Sequence, residues 1–320
     1  MNKTSIEWTD YTSNLIRYRD PEGRSVHGCT KVSAGCANCY ASAWSARGLT
    51  GERGGTFTAK RQATLTPYFD DGEARRILRR VSGARVFVGD MTDVFGEWVP
   101  DALLDQMFAV FGLRPDLTFQ VLTKRPERMR EYMVDPDRYT CVDEAAAAIS
   151  GESGVGVITR WPLPNVWLGT SVENQATADE RIPHLLETPA AVRFLSCEPL
   201  LDSVNLTPAA IPRVWGDLER RFGKPMVDWV IVGGESGPGA RPCDVGWIRD
   251  IVQQCKAAAV PVFVKQLGSR PVGTKAEAQG GWESSQFADP DARYERHLRD
   301  RAGRDMSEWP EDLRVREYPS

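Results

Sequence analysis

Six short apolar runs, rich in β-branched residues, most constrain what this chain can fold into. They span Arg85–Gly89, Thr118–Thr123, Asn165–Thr170, Val192–Ser196, Asp228–Gly233 and Val260–Lys265. Most of them are continuously apolar, which is typical of strands covered on both faces in a parallel sheet. They begin about 30–35 residues apart, the length of one strand–helix–strand unit. The sequence therefore predicts an α/β fold.

Helical patterns occupy segments between these runs. Apolar residues recur at helical spacing in Pro100–Phe111, Ala176–Leu186 and Val245–Ala259. Alternating strands and helices fit either an open doubly wound sheet or a (β/α) barrel. Several predicted strands end in polar residues, and the chemistry of a barrel lies at the carboxyl ends of its strands. We therefore predict a full or partial TIM-type (β/α) barrel.

Changes in composition mark the predicted limits of this barrel. Residues 1–268 are expected to form it, with insertions at about 132–160 and 204–224. Beyond residue 268 the chain is rich in Gly, Arg, Asp and Glu and poor in aliphatic residues. We expect residues 269–320 to be a peripheral C-terminal extension that packs on the barrel or is partly mobile, and that is partly helical around Asp291–Arg301.

Charge and composition exclude several functional classes. The 40 basic and 44 acidic residues give a net charge of −4, so a polyanion must be bound through a local basic patch. The basic stretch Lys124–Arg130 is the candidate for that patch. The sequence contains no apolar run long enough to cross a membrane, and its N-terminus has no export signal. We expect a cytoplasmic protein with reduced cysteines, since seven thiols in a chain of this size are not a disulfide framework.

Three of the seven cysteines lie close together. Cys29, Cys36 and Cys39 fall within eleven residues in a C-x6-C-x2-C pattern, and the other four are scattered. The two-residue spacing lets Cys36 and Cys39 bind one centre, and Gly28 and Gly35 allow the tight backbone that such a loop needs. The scattered cysteines are expected to be packing thiols, with Cys197 the one candidate exception because it lies at a predicted strand end.

Three interpretations of this loop remain open. A 4Fe–4S cluster held by three thiolates leaves one iron free for a small ligand. A structural zinc site needs a fourth protein ligand, for which His27, Cys141 or a later cysteine is a candidate. Three unrelated free thiols are the third possibility. The spacing favours iron–sulfur over zinc, and either metal over free thiols.

Polar residues or glycines follow each of the six predicted strands. Because the carboxyl ends of parallel strands meet at one edge, these residues predict a composite site. They are Asp90, Thr92, Asp93, Lys124, Ser171, Glu173, Asn174, Glu198, Gly233, Gly234, Glu235 and Lys265.

Long motifs distributed along the chain carry a resemblance to a known family. They are Ile6–Asp10, Gly28–Ser33, Gly35–Cys36, Leu122–Met129, Trp161–Gly169, Ser171–Gln175, Glu198–Leu200 and Gly233–Pro242. In these motifs, over about residues 5–268, the chain resembles the phage-associated, radical-SAM-like three-Cys-motif proteins. An extended connection at Asn14–His27 departs from the family pattern. Thr92-Asp93 and Thr123-Lys124 after successive strands are loosely similar to spore photoproduct lyase.

The resemblance implies a radical S-adenosylmethionine (SAM) enzyme. In such enzymes a 4Fe–4S cluster, here on Cys29, Cys36 and Cys39, binds the methionyl group of SAM. Reductive cleavage of SAM then yields a 5′-deoxyadenosyl radical, which abstracts hydrogen from the substrate. An external electron donor such as a flavodoxin or ferredoxin is implied, and the expected substrate is a nucleoside, a nucleotide or a nucleic-acid base.

The resemblance also implies roles for the residues at the strand ends. Contacts to the methionyl amine are expected from Asp90, Thr92 and Asp93. Contacts to the ribose hydroxyls are expected from Ser171, Glu173 and Asn174. Adenine is expected to be flanked by Tyr40, Gly233 and Gly234. Lys124 pairs with the methionyl carboxylate or a substrate phosphate, and substrate orientation or proton transfer is left to Glu198, Glu235 and Lys265.

Alternatives from other functional classes stay open. The first alternative is a non-enzymatic module that binds nucleic acid or protein and is stabilised by zinc or an iron–sulfur cluster. The second is a barrel enzyme that does not use SAM. Single residues also have plain structural explanations. In this interpretation Asp93 caps the following helix, Glu198 pairs only with an arginine, and Gly233-Gly234 forms a tight turn.

Overall fold

The computed structural model of the protein describes residues 1–48, 57–80, 82–151, 156–206, 227–273 and 294–319. The chain divides into two compact units. Unit 1 comprises Met1–Thr170 with His184–Arg193, and unit 2 comprises Ser171–Pro183 with Phe194–Ser320. Most of the predicted insertion at 204–224, from residue 207 on, lies outside the described residues.

Unit 1 is built on a mainly parallel sheet. Its strands are β1 (Asn2–Lys3), β2 (Tyr11–Ser13), β3 (Ile16–Arg19), β4 (Ser25–Val26), β5 (Thr66–Phe69), β6 (Arg85–Val88), β7 (Thr118–Thr123) and β8 (Val166–Ser171), whose last residue belongs to unit 2. Strands β2, β6, β7 and β8 pair in parallel in that order, and β1 joins β2 in antiparallel fashion. Strands β4, β3 and β5 form a small antiparallel sheet. The residues that follow β2, β6 and β7 therefore lie at one edge.

Helices follow most of these strands. They are α1 (Tyr40–Ala46), α2 (Ala59–Gln62), α3 (Asp71–Leu78), α4 (Asp101–Gly112), α5 (Pro126–Val134) and α6 (Arg138–Ser150). Helix α4 begins after Pro100, and Leu104, Met107, Phe108 and Phe111 form its buried face. The ring of Phe111 stacks on Phe119 of β7 at 4.2 Å between centroids. This packing covers one face of the sheet.

The stretch predicted as an insertion at 132–160 is largely helical. It contains the end of α5 and the whole of α6, which includes an alanine run. Alanine has the highest helix propensity, and Gly151 ends α6 with φ 76°. Helix α6 lies against α4, so this stretch belongs to the body of unit 1.

Unit 2 contains a second set of parallel strands. They and the shorter strands are β9 (Val192–Cys197, whose first two residues belong to unit 1), β10 (Trp229–Gly233), β11 (Cys243–Asp244), β12 (Val262–Gln266), β13 (Pro271–Gly273) and β14 (Tyr294–Glu295). Strand β10 pairs in parallel with both β9 and β12. The helices are α7 (Gln175–Glu187, whose last four residues belong to unit 1) and α8 (Val245–Ala257). Asp244 caps α8 by accepting a hydrogen bond from the Gly246 amide.

The described part of the C-terminal extension packs on unit 2. The Val264 amide donates to the Val315 carbonyl, and the Glu317 amide donates to the Val262 carbonyl. The helix predicted around Asp291–Arg301 is wrong over residues 294–301, where the chain forms β14 and turns. Strand β14 pairs with β13, and this tertiary pairing overrides the local charge pattern. Residues 291–293 lie outside the described residues.

The six predicted strands and three predicted helices all occur within two residues of their predicted ends. The parallel pairing predicted from their apolar composition is present in each unit. The full or partial barrel stays a prediction. In the described ranges, no helix combines the length and apolar composition needed to cross a bilayer.

Candidate functional site

The three clustered cysteines lie on the segment between β4 and α1 in unit 1. Cys36 ends a short 3₁₀ helix (Ala34–Cys36), and Cys39 directly precedes α1. Cys36 is buried, whereas Cys29 and Cys39 are half-buried. The side chains of Cys29 and Cys39 pack on an apolar cluster formed by Ala41, Phe57 and Met91. The start of the segment and the start of α1 therefore meet over a common apolar floor.

The thiol of Cys29 lies beside two charged groups. Burial raises its pKa to about 12, and the nearby Asp93 carboxylate acts in the same direction. The Arg125 guanidinium and the backbone amide of Asp93, which hydrogen-bonds to the thiol, favour the thiolate. Because a cysteine binds a metal as its thiolate, these two groups offset part of the cost that burial and Asp93 place on the ligating form of Cys29.

The carboxylate of Asp93 is fully engaged within the protein. Its Oδ1 accepts hydrogen bonds from Thr123 Oγ1 at 2.6 Å and from the Phe95 amide at 3.2 Å. Its Oδ2 accepts from the Lys124 amide and from Arg125 Nη1, both at 3.0 Å. Asp93 therefore joins the ends of β6 and β7 and holds Arg125, instead of capping a helix.

Arg125 is a residue that sequence reasoning assigned only to a basic patch. Its side chain is 6% exposed, its Nε lies 3.1 Å from Glu97, and its guanidinium lies 4.8 Å from the ring centroid of Trp98. Nη2 donates to Thr30 Oγ1 at 2.6 Å. The sequence feature that could have identified Arg125 as a site residue is its position directly after Thr123-Lys124, at the end of a predicted strand.

Two hydrogen bonds hold the cysteine segment on either side of Cys29. Thr92 Oγ1 donates to the carbonyl of Gly28, and Arg125 donates to Thr30. Thr92 is itself buried and lies 3.3 Å from the hydroxyl of Tyr18. The turn after β6 and the start of α5 therefore position this thiol.

Asp90 and Tyr40 meet at the same edge. Asp90 Oδ1 accepts a hydrogen bond from Asn14 Nδ2 at 2.6 Å, and burial raises the pKa of this carboxyl. The Tyr40 hydroxyl donates to the backbone carbonyl of Asp90 at 2.5 Å. Unit 1 thus brings together Cys29, Cys39, Tyr40, Asp90, Thr92 and Asp93, and the backbone amide of Lys124 joins them through Asp93. Sequence reasoning did not select Asn14, which follows β2.

The basic stretch Lys124–Arg130 is largely neutralised by ion pairs. Arg128 pairs with Asp101, and Arg130 Nη1 lies 2.5 Å from Glu187 Oε2. Arg125 pairs with Asp93 and Glu97. The stretch therefore presents less free positive charge to a polyanion than its sequence indicates.

In unit 2, the polar residues after β8 have structural partners. Glu173 and Arg181 form an ion pair at 3.1 Å, and both side chains are at most 3% exposed. Arg181 also donates to the Ser171 carbonyl at 2.9 Å. Asn174 Oδ1 accepts from the Thr177 amide at 3.0 Å, which caps the start of α7.

Two more pairs follow β9 and β10 in unit 2. Glu198 accepts hydrogen bonds from Lys265 Nζ and from Gln266 Nε2, so its cation is a lysine and not an arginine. Glu235 and Arg241 form a forked pair at 2.6 and 3.0 Å. Sequence reasoning did not select Arg181, Arg241 or Gln266 as site residues. Their contacts with Glu173, Glu235 and Glu198 depend on how the loops fold, which the spacing of residues along the chain does not reveal.

Close packing accounts for Gly233 and Gly234. A Cβ atom on Gly234 would lie 2.3 Å from the Leu267 carbonyl oxygen and 2.9 Å from Cys243 Cβ. The ladder between β10 and β12 also shifts register between Val232 and Gly233. This pair of glycines therefore allows two backbones to approach at the end of β10, instead of forming a tight turn.

The donor set of the cysteine segment suits an iron–sulfur cluster. Three thiols lie within eleven residues, and thiolates in short runs are the usual ligands of such clusters. Within the described ranges, no group of three or more His, Cys, Asp or Glu side chains is placed to hold one metal ion.

Of the other four cysteines, Cys197, Cys243 and Cys255 are buried in unit 2, as expected for packing thiols, and Cys141 is half-buried in α6.

Comparisons with known proteins identify a family. No curated protein and no solved structure matches the chain. The family model described as "Protein of unknown function (DUF5131)" matches residues 3–308, nearly the whole sequence. The chain therefore belongs to the DUF5131 family.

Proposed function

We propose that the protein is a radical SAM enzyme that holds a 4Fe–4S cluster on Cys29, Cys36 and Cys39. The observation that carries the proposal is the support given to the cysteine segment. The residues on either side of Cys29 are hydrogen-bonded to Thr92 and to the buried Arg125. A loop of free thiols needs no such support, whereas a metal site depends on contacts that orient its ligands.

When bound, the cluster supplies an open iron for the methionyl group of SAM and the electron that cleaves its carbon–sulfur bond. The residues of the chain supply binding, orientation and charge balance. Arg125 offsets part of the negative charge of the Cys29 thiolate, and the Asp93 amide donates to the sulfur of Cys29. The apolar floor under Cys29 and Cys39 excludes water from one side.

Within unit 1, Asp90 is the best candidate to bind the methionyl amine. Asp90 is half-buried, whereas Asp93 and Thr92 are buried and hydrogen-bonded to the segments around the cysteines, so they act as positioning residues. Tyr40 presents an exposed ring to adenine from a fixed position on Asp90. Lys124 stays the candidate for the methionyl carboxylate or for a substrate phosphate.

Within unit 2, Lys265 and Glu198 form the candidate proton-transfer pair. They are hydrogen-bonded, and their side chains are 18% and 16% exposed. A hydrogen-bonded acid and base that water still reaches is suited to moving a proton. We propose a nucleoside, a nucleotide or a nucleic-acid base as substrate, and a flavodoxin or ferredoxin as electron donor.

Anaerobic purification followed by metal analysis tests the proposal. We expect about four irons and four sulfides per chain, and 5′-deoxyadenosine on reduction with dithionite in the presence of SAM. Replacement of Cys29, Cys36 or Cys39 by alanine should abolish both. Cys141→Ala is the matched control, because this thiol is half-buried in α6, and it should retain both. Stoichiometric zinc without SAM cleavage would overturn the proposal in favour of a metal-stabilised binding module.

A further inference from the structure

We infer that the exposed aromatic surface of α1, formed by Tyr40 and Trp44, binds single-stranded nucleic acid by stacking a base on the ring of Trp44, which Tyr40 contacts edge-on. The inference deepens the proposed function and rests on it only in treating the bound strand as the substrate. The surface lies in unit 1, on the helix that directly follows Cys39.

The two rings form an exposed pair. Trp44 is 47% exposed and Tyr40 is 45% exposed, and their ring centroids lie 5.7 Å apart at an angle of 76°. In the part of the chain that the structure describes, three of the five exposed large apolar residues fall within residues 32–44, namely Val32, Tyr40 and Trp44. A concentration of exposed apolar side chains next to a candidate site marks a binding surface.

The surface is held rigidly on the protein. The opposite side of α1 is anchored by Ala41, which packs with Phe57 and Met91. The Tyr40 hydroxyl is bound to the Asp90 carbonyl at the end of β6. Rings that are fixed before binding lose little conformational entropy when a base stacks on them.

The charge of the surrounding segment fits a polyanion. Residues 28–48 contain two charged side chains, Lys31 and Arg47, and no carboxylate, in a chain whose net charge is −4. Both cations are exposed. Cations beside exposed aromatic rings are how proteins bind single strands without reading their sequence. The basic stretch Lys124–Arg130 is less suitable, because its three arginines are ion-paired.

Fluorescence anisotropy with a labelled 12-nucleotide oligo(dT) or oligo(U) tests the inference. Trp44→Ala should weaken binding by roughly 5- to 150-fold, the range expected for loss of one stacked base. Trp44→Phe should restore most of the affinity, because it keeps an aromatic face. Val134→Ala is the control, since Val134 is equally exposed, at 52%, but lies at the end of α5, and it should bind like the wild type.

Salt dependence gives a second readout that a folding defect does not mimic. Each phosphate contact on a single strand contributes about 0.7 to the slope of log K against log salt. The double variant Lys31→Gln/Arg47→Gln should therefore lower the magnitude of that slope by about 1.4. An unchanged slope would overturn the role of these cations.

Other outcomes would overturn the inference as a whole. The first is unchanged affinity in Trp44→Ala, and the second is equal affinity for duplex and single strand. The third is a wild-type dimer that Trp44→Ala dissociates, because that result would assign the surface to a second copy of the chain. Strand binding requires neither iron nor SAM. A protein that binds the strand but holds no iron overturns only the proposed function, whereas one that cleaves SAM but binds no strand overturns only this inference.

Discussion

Asp93 and Arg125 form a buried ion pair in unit 1, with Oδ2 and Nη1 3.0 Å apart and side chains 9% and 6% exposed. The pair links the ends of two neighbouring strands, since Asp93 follows β6 and Arg125 follows β7. The same guanidinium reaches Thr30, next to Cys29. Conformational support for the cysteine segment therefore comes from residues distant from it in sequence.

Removal of Arg125 is expected to destabilise the fold strongly. Arg125→Ala leaves the Asp93 carboxylate buried beside Cys29 without its cation, and loss of one partner of a buried pair costs about 3–5 kcal/mol. Arg125→Lys should cost less, because it keeps the charge but loses the forked geometry. The free energy of unfolding in urea measures both.

Arg128→Ala is the matched control for that experiment. Arg128 pairs with Asp101, whose side chain is 41% exposed, and such pairs contribute about 0–1 kcal/mol. Equal losses of stability in the two alanine variants would show that burial of the Arg125 pair is unimportant.

Glu173 is expected to contribute to the folding stability of unit 2 through its buried ion pair with Arg181. Arg181→Met should lower the free energy of unfolding by about 3–5 kcal/mol, because the buried Glu173 carboxylate then loses the ion pair with Arg181. The double variant Glu173→Gln/Arg181→Met should recover a large part of this loss, since it removes the buried charge as well. Urea unfolding of the two single variants and the double variant measures the coupling. Additive losses would contradict the expected coupling.

Gly234 is expected to tolerate no side chain. In Gly234→Ala the new Cβ meets the Leu267 carbonyl at 2.3 Å, so two backbones must separate, at a cost of about 1–3 kcal/mol or more. Gly151→Ala is a useful comparison, because nothing lies within 4 Å and only its φ of 76° is strained, by about 1–2 kcal/mol. Thermal unfolding should rank Gly234→Ala as the less stable. The opposite order would remove the packing explanation for this glycine.

Acid pH should weaken the β3–β4 hairpin through Asp20. Hydrogen bonds from the Arg24 side chain, the largest influence, lower the pKa of Asp20 from 3.8 to about 2. Because the folded pKa is the lower one, the stabilisation is fully present above pH 4 and is lost as the pH falls from about 4 to 2. Unfolding free energies of the wild type and Asp20→Asn should therefore converge over this range. A constant difference between the two proteins would contradict the assignment.

Local sequence was sufficient to locate the main elements. The run TFQVLT predicts β7 at residues 118–123, which is where the strand lies, because a continuous apolar run reports burial on both faces. The stripe in Pro100–Phe111 likewise predicts α4. Helix α6 was missed because its alanine run carries weak amphipathic periodicity, and α4 supplies the packing that stabilises it.

The sequence by itself determined the order of the six main parallel strands and three of the helices between them, the spacing of the three cysteines, and the polar character of the strand ends. Each of these depends on residues that are neighbours in the chain. Tertiary structure alone decided which polar residues are already engaged. It paired Asp93 with Arg125, Glu173 with Arg181 and Glu198 with Lys265, and it neutralised the arginines of the basic stretch. Ion pairs form between groups that folding brings within a few ångströms, and spacing along the chain does not encode that distance.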